Sequence, residues 1–200
     1  GRGGPGGWVD CSAVTESHSA RPDDAAAPLT IVVLASGTGS LLQSMLDTLD
    51  PARVRVVAVG SDKDCEALKR AAAAGIPSFQ VPSDAAARAD RAGWDATLLA
   101  AVREHRPDFV VSAGFMRILG QGFIDAFPDR IVNTHPALLP SFPGAHAVPD
   151  ALAHGVKVTG TTVHIVDAGV DTGPILAQEP VVVADGDTVD TLHERIKIVE

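Results

Sequence analysis

The run Leu29–Ala35 (LTIVVLA) is almost wholly apolar and rich in β-branched side chains, without the alternation of a strand that has one face in water. Such a segment fits a strand covered on both faces, as in a parallel sheet. It passes directly into Ser36–Ser40 (SGTGS), a glycine-rich turn, and then into helical spacing over Leu41–Leu49. The pattern recurs. Val54–Gly60 reads as a strand, and Asp64–Ala74 as a helix closed by Gly75 with Pro77 just beyond. Ser78–Val81 is a short strand, and Asp90–His105 an amphipathic helix through Trp94, Leu98, Leu99 and Val102, ended by Pro107. Phe109–Ala113, a short helix at Gly120–Ala126 and the strand Arg130–Thr134 follow. This alternation predicts a single α/β domain with a doubly wound, mostly parallel open sheet of Rossmann-like type and helices on both faces. Beyond it come a proline-rich loop through Pro149, a helical turn at Asp150–His154, strands at Thr159–Val166 and Ile175–Val183, and a helix at Thr188–Glu200. The last two strands are close in sequence, so antiparallel pairing is expected between them.

The domain is expected to span residues 29–200. Residues 1–28, rich in Gly, Ser, Pro and Ala with Trp8 as the one large apolar side chain, read as a disordered N-terminal extension. The helical pattern still runs at Glu200, so a truncated C-terminus is expected. Two hundred residues is room for one such domain with a sizeable core. Sixteen basic against 25 acidic residues leave a net charge of −9, which speaks against a nucleic-acid footprint but not against a local phosphate pocket. No apolar run approaches the roughly 20 residues of a membrane span. Two cysteines, Cys11 and Cys65, are too few for a disulfide framework, and no signal-peptide pattern opens the chain; both features fit a cytoplasmic protein.

Two places carry chemistry. The first is the SGTGS turn. Glycines leave backbone N–H groups uncovered, and the following helix N-terminus adds partial positive charge, so the turn is suited to a phosphate. Neither dinucleotide nor Walker spacing is complete: Leu42 stands where a third glycine would be, and no Gly-Lys-Ser/Thr follows. A plain strand-to-helix turn is the competing reading. The second place is Asn133-Thr134-His135-Pro136, at the end of a predicted strand. Residues two apart on a strand point to one side, so an amide and an imidazole share a pocket at the carboxyl ends of the strands, where open α/β sheets bind ligands. A carboxylate beside His135 would favour imidazolium. Asp171 and Asp167 compete for that place. Imidazolium and amide together could hold a developing oxyanion. A hydrogen-bonded structural histidine is the alternative for His135, and His164, inside an alternating strand, reads as a core or pocket-wall residue. His-x-x-x-His and paired cysteines at zinc spacing are both missing from the sequence.

Four segments, LTIVVLASGTGSLLQ, DFVVSAGFMRIL, IVNTHPALLPSFPGAHA and GTTVHIVDAGVDTGPILAQEPV, stand in an order and spacing that resemble the phosphoribosylglycinamide formyltransferase family, the folate-dependent transformylases of purine synthesis, over residues 29–200. The resemblance implies the formyltransferase version of the doubly wound sheet, 10-formyltetrahydrofolate as co-substrate, no metal and no covalent intermediate. It places the phosphate of glycinamide ribonucleotide on Gly39, Ser40 and Leu41, with Leu41 where the family usually has Asn. It places the folate on Met116, Arg117, Ile118, Leu119 and Asn133, with Arg91 as a further contact. From the residues alone, Phe115–Leu119 is a packed loop and Arg117 an ion-paired or solvated surface group. The resemblance also sets Glu200 on the substrate ribose, beside Lys197 where Gln is usual. Asn133, His135 and Asp171 become the catalytic set, and neither nucleic acid nor membrane is an expected partner; a homodimer is left open. The related hydrolase would use water in place of the amine, but the 28-residue lead is too short for its added domain. The tRNA formyltransferase carries a basic surface that this chain lacks. A non-catalytic binding module on the same fold is a third reading, against which an intact Asn133, His135 and Asp171 set weighs.

Overall fold

The computed structural model describes residues 27–200, so the expectation for residues 1–28, Trp8 included, lies almost wholly outside the described residues. The elements run β1 (Leu29–Leu34), α1 (Ser40–Thr48), β2 (Val54–Ser61), α2 (Glu66–Ala73), β3 (Ser78–Gln80), α3 (Ala85–Ala89), α4 (Arg91–Glu104), β4 (Phe109–Ser112), α5 (Gln121–Ala126), β5 (Ile131–His135), α6 (Ala147–His154), β6 (Val158–Ile165), β7 (Ile175–Val182) and α7 (Val189–Val199). They form a seven-stranded sheet in the order β3-β2-β1-β4-β5-β6-β7. The first five strands are parallel, and β6 runs antiparallel to both β5 and β7.

The apolar run of β1 divides by parity, as a strand buried on both faces must. Val32 and Leu34 join Leu98, Val102, Phe123 and Phe127 on the face covered by α4 and α5. Ile31, Val33 and Ala35 join Leu42, Ala67 and Ala71 under α1 and α2. A smaller cluster of Val148, Val181, Leu192 and Ile196 seats α6 and α7 against β7.

Two elements depart from the sequence reading by more than the one or two residues by which the other ends shift. Helix α3 was not expected, because Ala85–Ala89 has no apolar stripe and none of its residues is buried. It is started by the Asp84 carboxylate, which accepts the Ala87 N–H at 3.0 Å. Helix α6 begins at Ala147, before Pro149, rather than at Asp150. Proline is tolerated there because a first-turn N–H has no intrahelical acceptor to lose.

Strand order reverses between β1 and β4. Such a switch point opens a crevice at the carboxyl ends of the two strands, bounded by the loops that leave them. Those loops are the glycine-rich turn after β1 and the segment Gly114–Gly120 after β4. The end of β5 is the adjoining wall. Among the described residues no helix is long and apolar enough to cross a membrane.

Candidate active site

The turn after β1 is shaped by one glycine. Gly39 caps α1 in the left-handed region at φ 68°. A Cβ there would lie 2.8 Å from the Ala67 Cα of α2, so a side chain has no room. Ser40 and Leu41 open the helix with N–H groups that lack intrahelical acceptors, at the positive end of the helix dipole. Ser40 is exposed, whereas the Leu41 side chain packs down onto the cluster beneath α1 and α2. Leu41 therefore offers this turn its backbone alone. Arg70 of α2 braces the turn from behind, donating through Nε to the Thr38 carbonyl at 2.8 Å and through Nη1 to Gln43 Oε1 at 3.1 Å. Sequence reasoning missed Arg70, whose contact spans 32 residues.

Asn133 and His135 lie on β5, and a carboxylate meets the imidazole. His135 is buried, with Nδ1 3.3 Å from Asp171 Oδ2. Its Nε2 donates to the Phe142 carbonyl at 2.8 Å. A ring protonated on both nitrogens satisfies both acceptors. Asp171 adopts φ 54°, a left-handed conformation that is costly for a residue with a side chain. The Gly144 N–H donates to its Oδ2 at 2.7 Å. Asp167, the competing carboxylate, instead accepts from Thr172 Oγ1 at 2.7 Å and from the Gly169 N–H at 3.1 Å, and so closes its own turn.

His164 completes the group. It sits opposite Asn133 on β6 and is buried. Its Nδ1 donates to the Ile165 carbonyl at 2.9 Å, which leaves Nε2 to accept from Asn133 Nδ2 at 3.2 Å. That Nε2 also lies 3.5 Å from Asp171 Oδ1. His164 thereby orients the Asn133 amide and leaves its second N–H free to donate. The sequence marks His164 only as a residue of an alternating strand; the β5–β6 register that faces it to Asn133 is a non-local pairing.

In the segment after β4, Phe115 and Leu119 are buried, while Met116 is 70% and Ile118 72% exposed. Two anchors thus hold two large apolar side chains out at the crevice mouth. Arg91 joins this segment by donating to the Ile118 carbonyl, pairs with Asp95 at 3.2 Å and lies 4.7 Å above the Trp94 ring. Arg117 turns inward and donates through Nε to Asp62 Oδ2 at 2.7 Å. Glu200 lines a cleft with Thr161, Val163 and Gln178. Lys197 pairs with Glu194 at 2.6 Å along α7. Among the described residues no group of three or more His, Cys, Asp or Glu is arranged to hold a metal ion.

The structure thus brings Asn133, His135 and Asp171 together, with Arg91 beside Ile118. Residues 29–200 match the family model described as "Formyl transferase". A phosphoribosylglycinamide formyltransferase of Mycobacterium tuberculosis is 61% identical over 175 residues, 87% of this chain and 80% of that protein. Among solved structures, a glycinamide ribonucleotide transformylase from Symbiobacterium toebii superposes with a TM-score of 0.81 at 44% identity, covering 86% of this chain and 82% of the other. A formyltetrahydrofolate deformylase from Pseudomonas syringae superposes with a TM-score of 0.80 at 30% identity, covering 89% of this chain and 59% of the other. The fold, the glycine-rich turn and the Asn-x-His strand end stand together with a family match over the whole of residues 29–200, and the chain belongs to the formyl transferase family.

Proposed function

We propose that the protein transfers the formyl group of 10-formyltetrahydrofolate to the amine of glycinamide ribonucleotide in purine biosynthesis. The observation that carries this reading is the buried His135 imidazole, 3.3 Å from a carboxylate of Asp171 that is itself fixed by the Gly144 N–H. The substrate phosphate rests on the N–H groups of Gly39, Ser40 and Leu41, and the folate ring system on Met116, Arg117, Ile118 and Leu119. Arg91 steadies that segment through the Ile118 carbonyl. Glu200 belongs to the ribose end of the nucleotide. No metal takes part. The reaction is assigned to the cytoplasm.

The amine nitrogen attacks the formyl carbon, and a C–N bond forms as the carbonyl becomes a tetrahedral oxyanion. The free N–H of the Asn133 amide and the Nε2–H of His135 donate to that oxygen. To do so, His135 exchanges the Phe142 carbonyl for the oxyanion, while Asp171 retains its contact with Nδ1 and holds the ring in place. The amine proton passes by way of a water held at Asp171 to the folate nitrogen. The carbon–nitrogen bond to folate then breaks, releasing tetrahydrofolate and the formylated nucleotide.

Losing one oxyanion donor typically costs about a hundred- to a thousand-fold in rate. His135→Ala and Asp171→Asn are therefore each expected to lower kcat by at least about a hundredfold, with nucleotide affinity nearly unchanged. Near-normal turnover in either variant defeats the assignment. Similarity to the deformylase supports one alternative, attack by water. Incubation with 10-formyltetrahydrofolate, with and without glycinamide ribonucleotide, separates the two. Tetrahydrofolate release that requires the amine is transfer, and release without it is hydrolysis.

A further inference from the structure

We infer that Asp62 is a positioning residue for the folate-facing segment, an inference that rests on the function proposed above. Asp62 follows β2 at the switch point and is only 2% exposed, yet it is a carboxylate with partners from three other strand ends. Ser36, after β1, donates to Oδ1 at 2.6 Å. Ser83, beyond β3, donates to Oδ2 at 3.0 Å. Arg117, after β4, donates to the same oxygen at 2.7 Å. Ser36 Oγ in turn accepts the Met116 N–H at 2.9 Å.

A buried ionised group survives only when paired and hydrogen-bonded, and once satisfied it fixes its partners in place. Two of these partners define the folate-facing loop. The Met116 N–H is held through Ser36, and the Arg117 guanidinium is drawn in beneath the segment. With both fastened, the backbone from 115 to 119 must present Met116 and Ile118 outward, as their exposure records. Without the charge on Asp62, Arg117 is free to swing into the crevice mouth and the loop loses its fixed face. The carboxylate reaches the folate-facing segment through Arg117, which it bonds directly, and through Ser36, which holds the Met116 N–H.

Steady-state kinetics with both substrates tests this. Asp62→Asn keeps the shape and removes the charge. A hydrogen bond to a charged group is worth enough that its loss should raise the KM for 10-formyltetrahydrofolate about tenfold. The kcat and the KM for glycinamide ribonucleotide should stay within about twofold of wild type, because the oxyanion donors and phosphate turn are intact. The double variant Asp62→Asn/Arg117→Gln should raise the folate KM by less than the product of the two single effects, since part of the effect of Asp62 passes through Arg117. Ser36→Ala, which frees the Met116 N–H, should also raise the folate KM, and it decides the question if Asp62→Asn fails to fold. A folate KM that stays at the wild-type value overturns the inference. So does an equal rise in both KM values, the mark of a merely structural group. Wild-type protein without formyl transfer defeats the function proposed above and this role with it, whereas active wild type with unmoved variants defeats the role of Asp62 alone.

Discussion

At Gly39 the glycine-rich turn and the packing of α2 make one demand. The residue caps α1 at φ 68°, and the space a Cβ would fill is taken by the backbone of Ala67. Gly39→Ala meets two penalties, a left-handed conformation worth roughly 1–2 kcal/mol and a backbone clash. Its unfolding free energy in urea should drop by about 2 kcal/mol, and the KM for the nucleotide should rise as the N–H groups of the turn shift. A variant with unchanged stability and nucleotide KM would show that the turn yields. Residues of this kind were legible in the sequence because a glycine-rich strand-to-helix turn states its own geometry. So were Asn133 and His135, two apart on a strand. The choice of Asp171 over Asp167 came from the family resemblance and not from spacing, because it depends on where the turn at 167–172 folds back. His164, Arg70 and Asp62 were missed for a related reason: each acts on a partner at least 26 residues away through the sheet or a helix contact.

Burial rises along β1 in the order exposed, intermediate and then four buried residues. Substitutions along it should follow that gradient. Leu34 is fully buried against α4 and α5, so Leu34→Ala should cost about 2–5 kcal/mol. Leu29, 48% exposed at the strand's start, should change stability by no more than about 0.5 kcal/mol as Leu29→Ala. Chemical denaturation of the two variants measures the difference directly, and equal costs would contradict the two-faced burial of the strand. Elements with this much apolar patterning were readable from sequence to within a residue or two. Those that failed lacked the pattern: α3 is a run of alanines and one arginine begun by a cap, and the start of α6 is hidden by a proline that reads as a loop.

Across the whole molecule, the reversal of strand order between β1 and β4 gathers four strand ends at one crevice, and carboxylates fasten elements far apart in sequence. Asp108 accepts from the Thr30 N–H and hydroxyl, joining the starts of β4 and β1, and these bonds hold its carboxyl below the usual range. The Arg195 guanidinium beside Asp187 does the same at the entry to α7. At Asp62 burial pulls the carboxyl upward, but hydrogen bonds from Ser36, Arg117 and Ser83 and the charge of Arg117 outweigh it, and the net displacement is downward. A carboxyl depressed on folding contributes stability that is fully present above its unfolded value and is lost as the pH falls through its folded one. For Asp62 that loss sets in as the pH approaches its ordinary value of 3.8 and continues down through its lower folded one. The stability that Asp62 contributes should therefore be nearly constant from neutral pH down to about 5 and fall away in stronger acid. Asp62→Asn should melt lower than wild type at pH 7, and the gap should narrow only in that acid range, as the wild-type carboxyl takes up its proton. Melting curves of the two proteins across the acid range measure this. A gap that persists at full size in strong acid would mean that Asp62 stabilises the switch point by its shape and not by its charge.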